Sequence, residues 1–134
     1  MSQHELVNVI AAGDAAINAE NFDALMTFYA DDATLVIEPG RCVTGHVALR
    51  NAFVAIAEHF THTLRVSQEE ILVVEGAGTA LVLAKTRIRA TLKNGKPYDV
   101  LRRATYVFRR EERGAWRCSI DNSYGTELLS SAPA

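Results

Sequence analysis

The sequence predicts an α+β fold: three helices packed against one face of a curved, mostly antiparallel sheet. Two observations carry that expectation. Apolar residues recur at helical spacing near the N-terminus and again over residues 45–60, whereas from Thr63 onward the pattern turns to strand-like alternation. The later stretch is punctuated by turn-forming residues at Gly76-Ala77-Gly78, Asn94-Gly95 and Glu111 to Ala115, which divides it into four strands.

Taken in order, Leu6, Ile10, Gly13 and Ile17 mark an amphipathic helix from about Gln3 to Asn18. Gly13 costs about 1 kcal/mol in a helix relative to alanine, so its presence predicts the close approach of another backbone or of a ligand, or else close packing alone. Asn21 is the expected N-cap of a second helix, Phe22 to Tyr29. A short strand, Ala33 to Glu38, ends at Pro39-Gly40, and Cys42-Val43 makes its antiparallel return. Thr44 is the expected N-cap of a third helix, Gly45 to Phe60, with Leu49, Phe53 and Ile56 on its apolar face. Thr63 to Glu75 is strand-like, with a bulge or bend expected at Ser67-Gln68-Glu69-Glu70. The last strand, Trp116 to Tyr124, alternates so that Trp116, Cys118, Ile120 and Asn122 share a face and Asp121 faces away. Ser130 to Ala134 is an expected frayed tail.

The hairpin between Thr79 and Arg110 is the feature that fixes the interior. A two-residue Asn94-Gly95 loop of type I′ sets Lys93 opposite Lys96, and counting back sets Thr86 opposite Arg103. The more apolar face then holds Val82, Ala84, Thr86 and Ile88 with Leu101, Arg103, Thr105 and Val107, and is assigned inward. A slip of one residue would hand the place of Arg103 to Arg102.

Composition narrows the function. With 134 residues, 49% hydrophobic and 22% charged, and a formal net charge of -2, one domain spanning residues 1–134 is expected, without nucleic acid or a membrane as partner. The N-terminus lacks the basic and apolar regions of a signal peptide, and a cytoplasmic location is expected. Cys42 and Cys118 read as reduced thiols. His59 and His62 are close in sequence but lack a third ligand, so no metal site is expected. No phosphate loop, dinucleotide fingerprint or nucleophile elbow is present, and no cofactor is expected.

The element order, with Phe28-Tyr29-Ala30-Asp31-Asp32-Ala33-Thr34, Thr44-Gly45-His46-Val47-Ala48-Leu49-Arg50, Arg103-Ala104-Thr105 and Trp116-Arg117-Cys118-Ser119-Ile120-Asp121-Asn122, resembles the nuclear transport factor 2-like superfamily over nearly the whole chain. Within it the likeness is to the SnoaL-like and ketosteroid-isomerase-homologue groups. The resemblance implies a cone-shaped α+β barrel, a deep pocket between sheet and helices, and a homodimer formed through the outer sheet face. Ketosteroid isomerases carry a tyrosine in the first helix, an aspartate at the end of the first strand and a second acid on a late strand. Aligned on this chain, those positions fall on Gly13, on Ile37 or Glu38, and close to Thr105. The oxyanion-binding pair is thus absent, and steroid isomerisation is not expected.

Arg103 is the leading ligand-binding candidate, because an inward guanidinium must either pair with an acid (Asp14, Glu38 or Asp121) or hold a ligand's carboxylate or carbonyl. Asn122 can offer a donor and an acceptor to a ligand, or else close its own turn before Tyr124-Gly125. Tyr29, Thr105 and Trp116 are the other expected ligand contacts, and Glu38 is a weak candidate for a general base. These residues suggest a small-molecule-binding protein with an apolar pocket, its ligand carrying a carboxylate or carbonyl. The alternatives are a cofactor-independent lyase, isomerase or cyclase acting on a carbonyl-bearing apolar metabolite, and a non-catalytic dimerisation or assembly module.

Overall fold

The computed structural model describes residues 4–130; the expected helix start at Gln3 and the tail at 131–134 lie outside the described residues. Helix α1 spans Glu5–Asn18 and is capped by His4, whose Nδ1 accepts the Leu6 N–H at 3.1 Å. It buries Leu6, Ile10, Gly13 and Ala16. Gly13 is a site of close packing rather than of an approaching backbone, since a Cβ there would sit 2.8 Å from the Phe28 ring. Helix α2, Phe22–Met26, starts at Asn21, whose Oδ1 accepts the Ala24 N–H at 3.2 Å. It is shorter than the periodicity suggests, because Tyr29 already belongs to strand β1, Tyr29–Glu38.

Strand β2, Arg41–Thr44, returns antiparallel to β1, and helix α3 spans His46–His59. The cap of α3 is Gly45 rather than Thr44, whose hydroxyl pairs across the strands with Thr34 at 2.8 Å. Strands β3 (Arg65–Gly76), β4 (Thr79–Thr91), β5 (Pro97–Arg110) and β6 (Trp116–Asn122) follow, then a short α4, Glu127–Ser130. The bulge expected in β3 lies between Gln68 and Glu70.

All six strands form one sheet in the order β2-β1-β6-β5-β4-β3, with β1 and β6 parallel and the other four pairings antiparallel. The sheet is neither closed nor strongly curled, so the expected cone-shaped barrel is replaced by an open, mixed sheet. Closure would need the two margins to pair, but β2 offers only four residues and the β3 margin is engaged by α1. There the Asn18 side chain donates to the Val66 carbonyl at 3.0 Å and accepts the Val66 N–H at 2.7 Å.

The β4–β5 hairpin corrects the inward assignment of Arg103. Leu92 N–H donates to the Lys96 carbonyl and Gly95 N–H to the Leu92 carbonyl, which leaves a three-residue loop, Lys93-Asn94-Gly95. Gly95 has φ 81°, whereas Asn94 is not among the residues with positive φ that a type I′ loop would require. The pairing is therefore one residue from the expected one, with Thr86 opposite Arg102 and Lys85 opposite Arg103. One residue of slip inverts a strand. Strand β4 presents Val82, Ala84 and Thr86 inward as expected, but β5 presents Arg102, Ala104, Tyr106 and Phe108 and turns Arg103 outward.

A second irregularity acts on β6. Phe108 pairs with Cys118 but Val107 with Ile120, so Ser119 is an extra residue. Beyond it the faces exchange, leaving Ile120 45% exposed and Asp121 only 8% exposed, the reverse of simple alternation.

Candidate functional site

Beneath α1 and α3, against the inner sheet face, lies a cavity of about 160 Å³. Ile17 of α1, Leu35 and Ile37 of β1, Phe53 and Ile56 of α3 and Ile88 of β4 give it apolar walls. Asp14, Thr86, Tyr98, Arg102, Tyr106, Asp121 and Tyr124 supply polar groups at its two ends. Larger grooves lie outside, including one of about 550 Å³ between α1 and β3 that Asp14 also borders. The smaller cavity is the candidate site because buried ionisable groups converge on it.

Asp121 reaches the cavity because of the Ser119 bulge. Its Oδ2 accepts the Tyr29 hydroxyl at 2.5 Å. Burial pushes its carboxyl from 3.8 up to about 6, and the Tyr29 bond pulls it only partly back. Asp14 is likewise raised by burial to about 6, with the Asp121 charge adding to the rise and the Gln68 hydrogen bond opposing it. Gln68 Nε2 donates to Asp14 Oδ2 at 3.0 Å while its Oε1 accepts the Thr86 hydroxyl at 2.7 Å, which fixes the amide orientation. The β3 bulge thus places an uncharged relay behind Asp14. Tyr106, buried near both acids, has its phenol pushed up by burial and by the two carboxylates. Two acids that titrate near neutrality beside an apolar space can each hold or release a proton toward a bound group.

The other end is cationic. Arg102 Nη2 donates to the Tyr98 hydroxyl at 3.1 Å, Nη1 to Glu127 Oε2 at 3.3 Å, and the guanidinium lies over the Tyr124 ring at 4.4 Å. Its Nε is buried and has no hydrogen-bond partner. Arg102 and Tyr106, which pairs with Asp121, are four residues apart on β5, roughly 13 Å along the strand.

The expected site residues are dispersed. Arg103 lies exposed on the outer face, where it and Thr105 border a separate groove. Asn122 closes its own turn: Oδ1 accepts the N–H groups of Tyr124 and Gly125, and Nδ2 donates to Thr105 Oγ1 at 3.1 Å. Trp116 is buried beside the start of α1, its Nε1 donating to Glu5 at 2.9 Å and its ring covered by Arg110. Glu38 is exposed and 3.7 Å from Arg41. Tyr29 does adjoin the site, not as a wall but as the donor that holds Asp121. Asp14, Gln68, Thr86, Tyr106 and Asp121 escaped the sequence argument as site residues. Only Asp14 left a local signal, a carboxylate four residues after Ile10 and three before Ile17 on the apolar stripe of α1.

Among the described residues no group of three or more His, Cys, Asp and Glu side chains could hold a metal ion, and no helix is long and apolar enough to cross a membrane.

No curated protein matches the sequence. Among solved structures, Aln2 from a Streptomyces species is similar over 99% of both chains, at 17% identity and a TM-score of 0.78. A candidate ketosteroid isomerase from Shewanella frigidimarina is similar over 85% of this chain and 90% of its own, at 18% identity and a TM-score of 0.74. The association domain of C. elegans CaMKII covers 87% of this chain and 90% of its own, at 17% identity and a TM-score of 0.67. These likenesses establish the fold, which hosts unrelated functions. The SnoaL-like domain model matches residues 3–118. The chain belongs to the SnoaL-like family of the nuclear transport factor 2-like superfamily.

Proposed function

We propose that this protein binds a small, largely apolar molecule in the cavity beneath α1 and α3. The observation that carries the reading is a walled apolar space of about 160 Å³ with ionisable groups at its ends. Cavities near 150 Å³ hold about one six-membered ring, so the ligand is monocyclic. Thermal shift against single-ring ketones and carboxylates tests this. A ligand at one hundred times its Kd stabilises the fold by about 2.7 kcal/mol, and the cavity-filling change Ile56→Trp removes that gain. No stabilisation by any single-ring compound would sink the reading.

A second reading, proton transfer on a carbonyl-bearing ligand by a cofactor-independent lyase, isomerase or cyclase, is favoured by the two raised acids. Asp121 and Asp14 take the part for which Glu38 was the sequence candidate. Turnover lost in Asp121→Asn while binding persists supports catalysis, whereas ligand binding without turnover in the wild type supports a carrier.

The same proposal includes a cytoplasmic homodimer. Leu72, Leu81, Leu83, Leu101 and Ile120 are 41–56% exposed on the outer sheet face. That face also carries Glu70, Lys85 and Arg103, charges of both signs that suit a second copy of the same surface.

A further inference from the structure

We propose that Arg102 seats a carboxylate of the cavity's ligand, and that the chain's own Glu127 competes for that seat. The inference rests on the cavity being a binding site and names the ligand's class, a single-ring carboxylic acid. A guanidinium presents five N–H donors in a planar fork that matches a carboxylate two bonds at a time. Arg102 uses its fork poorly. Nη2 meets a neutral phenol, Nη1 meets Glu127 through a single contact of 3.3 Å, and Nε, sealed from solvent, donates to nothing. Charge-assisted bonds of this type ordinarily run about 2.7–2.9 Å. The Glu127 side chain is 57% exposed, at the start of a four-residue helix.

The surroundings favour one approach. Tyr124 stacks on a guanidinium face, which leaves the N–H edge for an in-plane carboxylate. Arg102 and Tyr124 both line the cavity, so a carboxylate arriving from within meets that edge. The ring then occupies the space among Ile17, Phe53, Ile56 and Ile88. Asp121 pairs with Tyr106, four residues from Arg102 along β5, so the ligand's negative charge is kept away from that carboxylate. Asn122 keeps the turn that precedes the short C-terminal helix anchored when Glu127 is displaced.

Calorimetric titration with cyclohexanecarboxylate and with cyclohexyl methyl ketone, which shares the ring but lacks the charge, tests the inference. The wild type is expected to bind the carboxylate at least about tenfold tighter than the ketone. Glu127→Gln should tighten the carboxylate by a further two- to fivefold, roughly what an exposed ion pair is worth, and leave the ketone unchanged. Glu112→Gln makes the same charge change in the β5–β6 turn and should move neither. Arg102→Gln should bring the carboxylate to the ketone's level; Arg102→Lys, which keeps the charge but not the fork, should lose most of the preference. Equal binding of both compounds, or a Glu127→Gln protein no better than wild type, would overturn the carboxylate seat and leave the cavity reading standing. Binding of neither compound would overturn both.

Discussion

Asp121→Asn should reverse part of the pH dependence of folding stability. The Asp121 carboxyl sits at about 6 in the folded chain against 3.8 for the ordinary side chain, so the native state binds a proton more tightly than the unfolded state. A raised carboxyl stabilises the fold while protonated, below about pH 4, and that contribution is lost as pH rises through 6. At roughly 1.36 kcal/mol per pH unit over about two units, the loss approaches 3 kcal/mol by pH 7.5. Asparagine carries no charge and still offers Tyr29 an acceptor, so it escapes the loss. Other paired carboxylates, such as Glu5, which the Trp116 and Arg110 hydrogen bonds hold below its ordinary value, change stability with pH in the opposite sense but equally in both proteins. The difference between variant and wild type therefore reports residue 121 together with the part of the Asp14 rise that the Asp121 charge supplies. For a chain of this size about 3 kcal/mol corresponds to roughly 10 °C in Tm. Roughly 1 kcal/mol of that loss already lies below pH 4.5, so thermal unfolding from pH 4.5 to 8 should show Tm of Asp121→Asn climbing relative to wild type by about 7 °C, most steeply between pH 4.5 and 6. A constant Tm difference across the range would refute the assignment of a raised, buried carboxyl.

Two further outcomes follow from packing. Gly13→Ala gains about 1 kcal/mol of helix propensity but drives a methyl to 2.8 Å from Phe28, whose ring packs edge-on against Tyr29 and Phe108, at an overpacking cost of about 1–3 kcal/mol; urea unfolding should show a net loss of up to about 2 kcal/mol instead of the gain an open site would give. Leu83→Glu places a charge amid the apolar outer face and should convert the proposed dimer to monomer by light scattering without lowering Tm of the monomer; an unchanged mass would discard that face as the interface.

Local chemistry made much of the scaffold legible. The polar run at Ser67 to Glu70 reported its bulge, Asn21 its cap and Gly13 its tight contact, because each effect acts within a few residues. The face of β4 followed from its own alternation. The face of β5 did not, since Asn94-Gly95 serves both a two-residue and a three-residue loop, and the choice between them decides whether Arg102 or Arg103 meets the core. The extra residue at Ser119 carries no signature comparable to a glycine or proline, yet it brings Asp121 inside. Both misread positions lie one residue from the right one. In a period-two element such an error exchanges interior for exterior, so the positions of functional groups were less legible than the order of the elements. The barrel implied by family resemblance failed for a different reason: strand order can be inherited while the two margins stay apart.

Those margins pose a problem that Asn18 answers for one of them. A sheet left open offers raw peptide groups along its last strand, a template on which any extended chain could crystallise. The Asn18 carboxamide gives Val66 one donor and one acceptor, the complement a passing peptide would supply. A single side chain thus impersonates one link of a seventh strand, and the sheet ends where the first helix tells it to.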